Sequence, residues 1–214
     1  MQQTQNEVQK LYKRHGVFYH KLFIDFFGLE NRFEKFFFQS NYLASNIKIL
    51  DAGCGSGALL RALYKAAHKK DLRNILYHGF DFSETMLDQF RFLNKKQHIT
   101  DIALFKADVL HPEKLPKEWN SYDMIVSNGM LEYIPKLEFD RAIKNLTLLL
   151  KDDGILIIFM AKSNLLTKFL IELWWKARTF KRNEIRLAMQ NAGFAQININ
   201  NFSQNILFIE AKNI

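Results

Sequence analysis

Five near-continuous apolar runs, separated by stretches of helical spacing, constrain this 214-residue chain more than anything else in it. The runs are "IKILDA" (47–52), "ILYHGFD" (75–81), "IALFKAD" (102–108), "YDMIVSN" (122–128) and "GILIIFMA" (154–161). Helical spacing fills 58–69, 83–95 and 138–150. A strand that is apolar at nearly every position must be buried on both faces. Strands that alternate with helices are joined by crossovers, so the pattern predicts an α/β fold with a parallel sheet covered on both sides. Two later runs, "FAQININ" (194–200) and "ILFIEAK" (206–212), are separated by "NFSQN", too short for a helical crossover. They are predicted to pair antiparallel, as a C-terminal hairpin at one edge of the sheet. Residues 1–46 read as a helical N-terminal extension or lid, phenylalanine-rich over 21–40 and too short to hold together unless packed on another surface. Residues 47–214 read as one domain.

Composition sets outer limits. No apolar run approaches the roughly 20 residues that a membrane span needs. The polar start "MQQTQNEVQK" lacks the apolar core of a signal peptide, so a cytoplasmic location is expected. A single cysteine, Cys54, excludes an internal disulfide and a multi-cysteine zinc site. The net charge of +8 is unevenly placed. Residues 162–186 carry seven basic side chains (Lys162, Lys168, Lys176, Arg178, Lys181, Arg182, Arg186) against two acids, Glu172 and Glu184. Such an excess suits an anionic partner or, more plainly, a solvated helix face.

The stretch "KILDAGCGSG" (48–57) joins the first run to the first helical stretch. Gly53, Gly55 and Gly57 allow a tight turn and close approach of backbone to a ligand. The loop fits a relaxed dinucleotide fingerprint, G-x-G-x-x-G/A. Asp51, two residues ahead of the first glycine, separates the readings. A carboxylate there repels a pyrophosphate but welcomes an ammonium group, as carried by S-adenosylmethionine (SAM), which has no phosphate. Asp81 ends the second run, where an acid can accept both hydroxyls of a ribose in either cofactor class, or serve as a simple turn residue. Ser83 follows as a helix cap. Asp108 ends the third run and can accept from an adenine amino group.

The segments "ILDAGCGSG", "GFDFSETML", "KADVL", "YDMIVSNGMLEYI" and "LLLKDDGILII" follow one another in the order and at the spacing of class I SAM-dependent methyltransferases, and the chain resembles that family over residues 46–212. The resemblance implies a doubly wound seven-stranded sheet whose last strand is antiparallel. It implies that Asp51, Gly53 and Gly55 face the methionyl moiety and that Asp81 holds the ribose. Phe82 and Met86 then flank the adenine, Asp108 reads its amine with Val109 beside it, and Asn128 lies by the methyl group. The N-terminal stretch "LYKRHGVFYHKL" (11–22) is similar to the tyrosine-pair segment of quinone and phospholipid methyltransferases. Tyr12 and Tyr19 keep its spacing, while Lys13 and His20 stand where aspartates are usual. Tyr19 is thereby a cofactor-side candidate, its ring suited to a sulfonium by cation–π attraction. An amphipathic helix packing two aromatics is the plainer alternative.

Methyl transfer from a sulfonium is an in-line displacement, in which the enzyme mainly aligns the partners and excludes water. A base is needed only for a protonated nucleophile. The sequence therefore names no catalytic residue; the candidates are Tyr19, His20, His111, Asn128, Glu132 and Tyr133. "SNGM" (127–130) after the fourth run is not the motif used on amide or adenine nitrogens, and Cys54 lies in the cofactor loop rather than where cytosine methylation needs a nucleophile. No metal-ligand cluster stands out. A small, hydrophobic or lipid-like acceptor is the expected substrate, with SAM converted to S-adenosylhomocysteine (SAH). Leu166, Phe169, Leu170, Leu173 and Trp174 make one helical stripe beside the basic residues, a pattern of core packing or of peripheral contact with an anionic membrane. An RNA- or protein-directed methyltransferase gripping its target through 162–186, and a non-catalytic SAM-binding module, are the alternatives.

Overall fold

The computed structural model describes residues 28–163 and 178–213. The helices there are α1 (Leu29–Gln39), α2 (Ala58–Lys69), α3 (Glu84–Lys96), α4 (Phe139–Thr147) and α5 (Arg182–Asn191). The strands are β1 (Lys48–Ala52), β2 (Leu76–Asp81), β3 (Ile102–Lys106), β4 (Tyr122–Asn128), β5 (Leu150–Ala161), β6 (Gln196–Asn201) and β7 (Ile206–Lys212). They form a seven-stranded sheet in the order β3-β2-β1-β4-β5-β7-β6. The pairs β2–β3, β1–β4 and β4–β5 are parallel, whereas β5–β7 and β6–β7 are antiparallel. Every apolar run is a strand, and the C-terminal hairpin lies at the sheet edge with β6 outermost.

One strand departs from the sequence reading. β5 starts at Leu150, not at Gly154, because Leu150 already pairs with Tyr122 before the register shifts and Met124 pairs with Ile155. The polar "KDD" (151–153) is thus an irregular, exposed part of the strand rather than a turn ahead of it. This shortens the preceding helix, expected over 138–150, to α4.

The chain divides into two compact units, one comprising Met1–Ile47 and Cys54–Lys106, the other Lys48–Gly53 and Ala107–Ile214. In the first, α1 packs along α2 and buries Leu29, Phe33 and Phe37, spaced every four residues on one face. Residues 28–46, expected in an N-terminal extension, therefore contribute to the core of this unit. Polar groups fix the same helix pair. Glu30 accepts from Arg61 at 2.7 Å and from Lys65 at 2.6 Å, and Arg61 also donates to the carbonyl of Ser56. Burial works against the Glu30 carboxylate, but hydrogen bonds and charge from Arg61 and Lys65 outweigh it and hold its pKa below 4.5.

The second unit is built on β4, β5 and β7, with Phe139 of α4 stacked on Phe180 at 4.1 Å between ring centroids. Two basic side chains counted above as part of a cationic segment are engaged within it. Arg182 donates to the Ile199 carbonyl and to Asn201 Oδ1, both at 2.6 Å, and Arg186 donates to the Ile197 carbonyl at 3.1 Å. One turn apart on α5, they reach alternate carbonyls on the outer edge of β6. Charge counting overstated the free cations for this reason. The stripe at 166–174, with Trp175, Lys168 and Lys176, lies outside the described residues.

Arg61 is only 3% exposed, so removing its partner leaves a buried cation without its carboxylate. Glu30→Ala should lower unfolding free energy in urea by about 3 kcal/mol. Glu34→Ala, which removes an ion pair to the largely exposed Lys69, should cost less than about 1 kcal/mol. Equal losses in the two variants would contradict a buried role for Arg61.

Candidate active site

In the first unit, the candidate residues gather around one carboxylate. Asp81 ends β2, is 7% exposed, and accepts from Gly55 N at 2.9 Å through Oδ2 and from Ser83 N at 2.8 Å through Oδ1. It thus holds the glycine loop and the start of α3 to one strand end. Burial pushes its pKa up from 3.8 to about 6, against the lowering effect of the Ser83, Gly55 and Phe82 amides. Ser83 caps α3, its Oγ accepting from Met86 N at 3.4 Å. Met86 is buried and Phe82 half-buried. Cys54 N is tied to the Phe80 carbonyl at 2.9 Å, which sets the first step of the loop. Gly57 ends the loop with φ +87°, and a Cβ there would lie 2.2 Å from the Phe90 ring. Only glycine satisfies both the conformation and the space.

In the second unit, Asp51 is 1% exposed near the end of β1, and Ser127 Oγ donates to the Ala52 carbonyl at 2.8 Å, fastening β4 to β1. Gly53 has φ +69°, and a Cβ on it would lie 2.4 Å from Met130 Cβ. Met130 therefore rests over the first glycine of the loop. The sequence reading missed this residue, because a methionine after a turn carries no signal of its own. Asn128, the last residue of β4, is half-buried and pairs in register with Phe159.

Glu132 sits in a short 3-10 turn, Leu131–Tyr133, beyond β4 and is 5% exposed. Its Oε1 accepts from Ala161 N at 2.8 Å at the end of β5, and its carbonyl accepts from Arg178 N at 2.7 Å. Its Oε2 is buried with no hydrogen-bond partner among the described residues. Burial raises its pKa from 4.5 to about 7, and the amides of Ala161 and Glu132 itself only partly offset this. Tyr133, next in the turn, is half-buried.

Asp108 follows β3, half-buried, with Oδ1 accepting from Leu110 N at 2.9 Å; Val109 is buried. His111 is a loop histidine, 45% exposed, with Nδ1 3.1 Å from Glu113 Oε1. Tyr12, Tyr19 and His20 lie outside the described residues. Among the described residues no group of three His, Cys, Asp or Glu side chains could hold a metal ion, and no helix is long and apolar enough to cross a membrane.

A family model described as a methyltransferase domain matches residues 43–196. A malonyl-[acyl-carrier protein] O-methyltransferase of Bacillus cereus is 29% identical over 113 residues, 53% of this chain and 37% of that protein. A demethylmenaquinone methyltransferase of Lactobacillus johnsonii is 28% identical over 151 residues, covering 70% of this chain and 57% of the relative. The chain thus spans between about a third and three fifths of the length of these relatives. The same fold is found in the crystal structure of magnesium protoporphyrin IX methyltransferase from Synechocystis with bound SAM. Its TM-score is 0.72 at 17% identity, and the likeness covers 99% of this chain and 97% of that one.

Glu132 gives the site a pH signature. The folded protein keeps on this carboxyl a proton that the unfolded chain releases near 4.5, so the stability it contributes is full below that pH and is lost as pH rises through about 7. Glu132→Gln stays neutral and can still accept from Ala161. Its melting temperature should exceed that of the wild type by a margin that grows from pH 4.5 to pH 8. A margin independent of pH would show that Glu132 does not titrate in this range.

Proposed function

The chain belongs to the methyltransferase-domain family, and we propose that it transfers a methyl group from SAM to a small, hydrophobic or lipid-like acceptor. The observation that carries the cofactor assignment is Asp51, a carboxylate 1% exposed just ahead of the glycine loop, which repels a pyrophosphate and welcomes an ammonium group and so fits SAM better than a dinucleotide. Asp81, whose two oxygens accept from Gly55 and Ser83 at the strand end, suits the ribose hydroxyls that both cofactor classes carry. SAM, when bound, supplies an electrophilic methyl on a good neutral leaving group.

The chain's own residues bind, orient and exclude water. Asp51 meets the ammonium end of the cofactor, and Gly53 and Gly55 present bare backbone to the methionyl moiety. Asp81 holds the ribose, Phe82 and Met86 flank the adenine, and Asp108 and Val109 read its edge. Asn128, at the end of β4, faces the reacting group. Tyr19, in the tyrosine-pair segment, is assigned to the sulfonium by its motif spacing. Alignment of nucleophile, methyl carbon and sulfur is the main contribution to rate. His111, a half-buried loop residue whose Nδ1 lies 3.1 Å from Glu113 Oε1, is not needed in this reading.

The acceptor class is supported by the likeness to a demethylmenaquinone methyltransferase and by the aromatic and basic composition of 162–186. In parallel sheets ligands bind beyond the C-terminal strand ends, and Ala161, the last residue of β5, is where the chain enters the basic, aromatic segment. A peripheral contact with an anionic membrane belongs to the same reading. Turnover of SAM to SAH with a lipid or quinone panel separates this enzyme from a non-catalytic binding module, and steeply salt-dependent RNA binding would favour a nucleic-acid target.

Asp81→Ala should weaken SAM binding by about 1.5–3 kcal/mol, roughly tenfold or more, as read by calorimetry. Wild-type affinity should fall as pH drops below about 6, where Asp81 gains its proton. Tight binding of NAD without binding of SAM would overturn the cofactor assignment. Sedimentation with anionic liposomes should be strong at low salt and fade as salt rises. Replacing Lys176, Arg178 and Lys181 with glutamine should abolish it; Arg182 is left in place because it bonds to β6. A wild type that ignores such liposomes at low salt would remove the membrane contact from the reading.

A further inference from the structure

The connection between β3 and β4 is where a crossover helix is expected in a parallel sheet. Here it holds only a one-turn 3-10 helix, Pro112–Lys114, in the fifteen residues between Lys106 and Tyr122. The turn that opens it, Asp108–His111, is nevertheless tightly determined. The peptide between Val109 and Leu110 is held at both ends: Leu110 N donates to Asp108 Oδ1 at 2.9 Å, and the Val109 carbonyl accepts from Asn145 Nδ2 at 2.9 Å. The next peptide is held in the same way. His111 N donates to the Asp108 carbonyl at 2.8 Å, and the Leu110 carbonyl accepts from Arg141 Nη2 at 2.8 Å. Arg141 and Asn145 are one turn apart on α4, so a single helix face supplies both donors. Glu138 accepts from the other guanidinium nitrogen at 3.1 Å and holds Arg141 in that pose.

Rotating either peptide would break two hydrogen bonds at once, with Val109 and Leu110 buried. A connecting turn does not require such bracing in order to connect. A turn that must present an oriented carboxylate and an adjacent N–H to a flat, polar edge does. We propose that Arg141 and Asn145 are positioning residues that preset the Asp108–Leu110 turn to read the edge of an adenine and to reject a base with the donors and acceptors exchanged. The inference rests on the assignment of Asp108 to the adenine made above. An Asp108 side-chain oxygen accepts from a 6-amino group, and Val109 N–H donates to an unprotonated ring nitrogen. A hypoxanthine edge offers an oxygen and an N–H at those two places and inverts both contacts.

The test compares SAH with S-inosyl-L-homocysteine, its 6-oxo counterpart, by calorimetry on the full chain. Wild type should bind SAH at least about tenfold more tightly than the inosyl compound. Asn145→Ala and Arg141→Ala should each weaken SAH about fivefold, and the double variant should narrow the preference to within about threefold. Arg141→Lys keeps a donor for the Leu110 carbonyl and should restore most of the preference. Both side chains lie at least partly at the surface, and thermal melting shows whether each variant is folded. A double variant that binds both compounds more weakly but keeps the wild-type ratio would overturn the proposal, because it shows support of the fold alone. Asp108→Ala separates the two layers of inference. If it leaves the ratio unchanged, the adenine assignment fails and the proposal with it. If it collapses the ratio while the double variant does not, the assignment stands and positioning by α4 is refuted.

Discussion

The Asp81 carboxylate is the constraint on which the glycine loop and the start of α3 depend. A strand end, a glycine loop and a helix start are three backbone segments with unsatisfied amides, and one side chain gathers two of them onto the third. Burial makes each bond stronger and the ionised form more costly, which is why its pKa is drawn up to about 6. A group in that condition gains from any ligand that donates hydrogen bonds to it. The same carboxylate that closes the loop is the group assigned above to the ribose under the proposed function.

A common device recurs in the second unit. Glu132, Arg141, Asn145, Arg182 and Arg186 each direct a side chain at backbone partners. Lys48 does the same with the carbonyls of Glu118 and Asn120. Bonds of this kind fix the course of a chain in ways that side-chain pairs do not, because a peptide group has only one place to be once both of its ends are taken. A backbone partner brings no opposing charge to a buried acid such as Glu132, so the Ala161 amide only partly offsets burial, and the pKa is raised.

Much of this was legible in the sequence. The runs 122–128 and 206–212 and the helix 58–69 were read to the residue, since continuous apolar strands and a clean helical stripe bounded by polar or glycine positions leave little freedom. The glycine loop was legible as a tight turn, because glycines at alternate positions between a strand and a helix allow the positive φ that Gly53, Gly55 and Gly57 adopt. The beginning of β5 was not, because "KDD" has the composition of a turn and only pairing with Tyr122 makes it strand. The engagement of Arg182 and Arg186 was not legible either: a charge count cannot tell a guanidinium in water from one bonded to a carbonyl. Arg141 and Asn145 read as ordinary polar positions on a helix surface, and nothing local in the sequence points to the turn they hold, some thirty residues earlier.

The two arginines on β6 carry one more consequence. An outermost strand presents a row of open carbonyls and amides that another chain can extend, which is the route to fibres and unwanted pairing. Here the acceptors at Ile197 and Ile199 are already taken by guanidinium groups from the neighbouring helix, and the incoming strand would meet positive charge in place of a free ladder. The sheet is terminated chemically at this end, with neither a proline nor a bulge. A strand from another copy that paired with these two carbonyls would first have to displace both guanidinium groups.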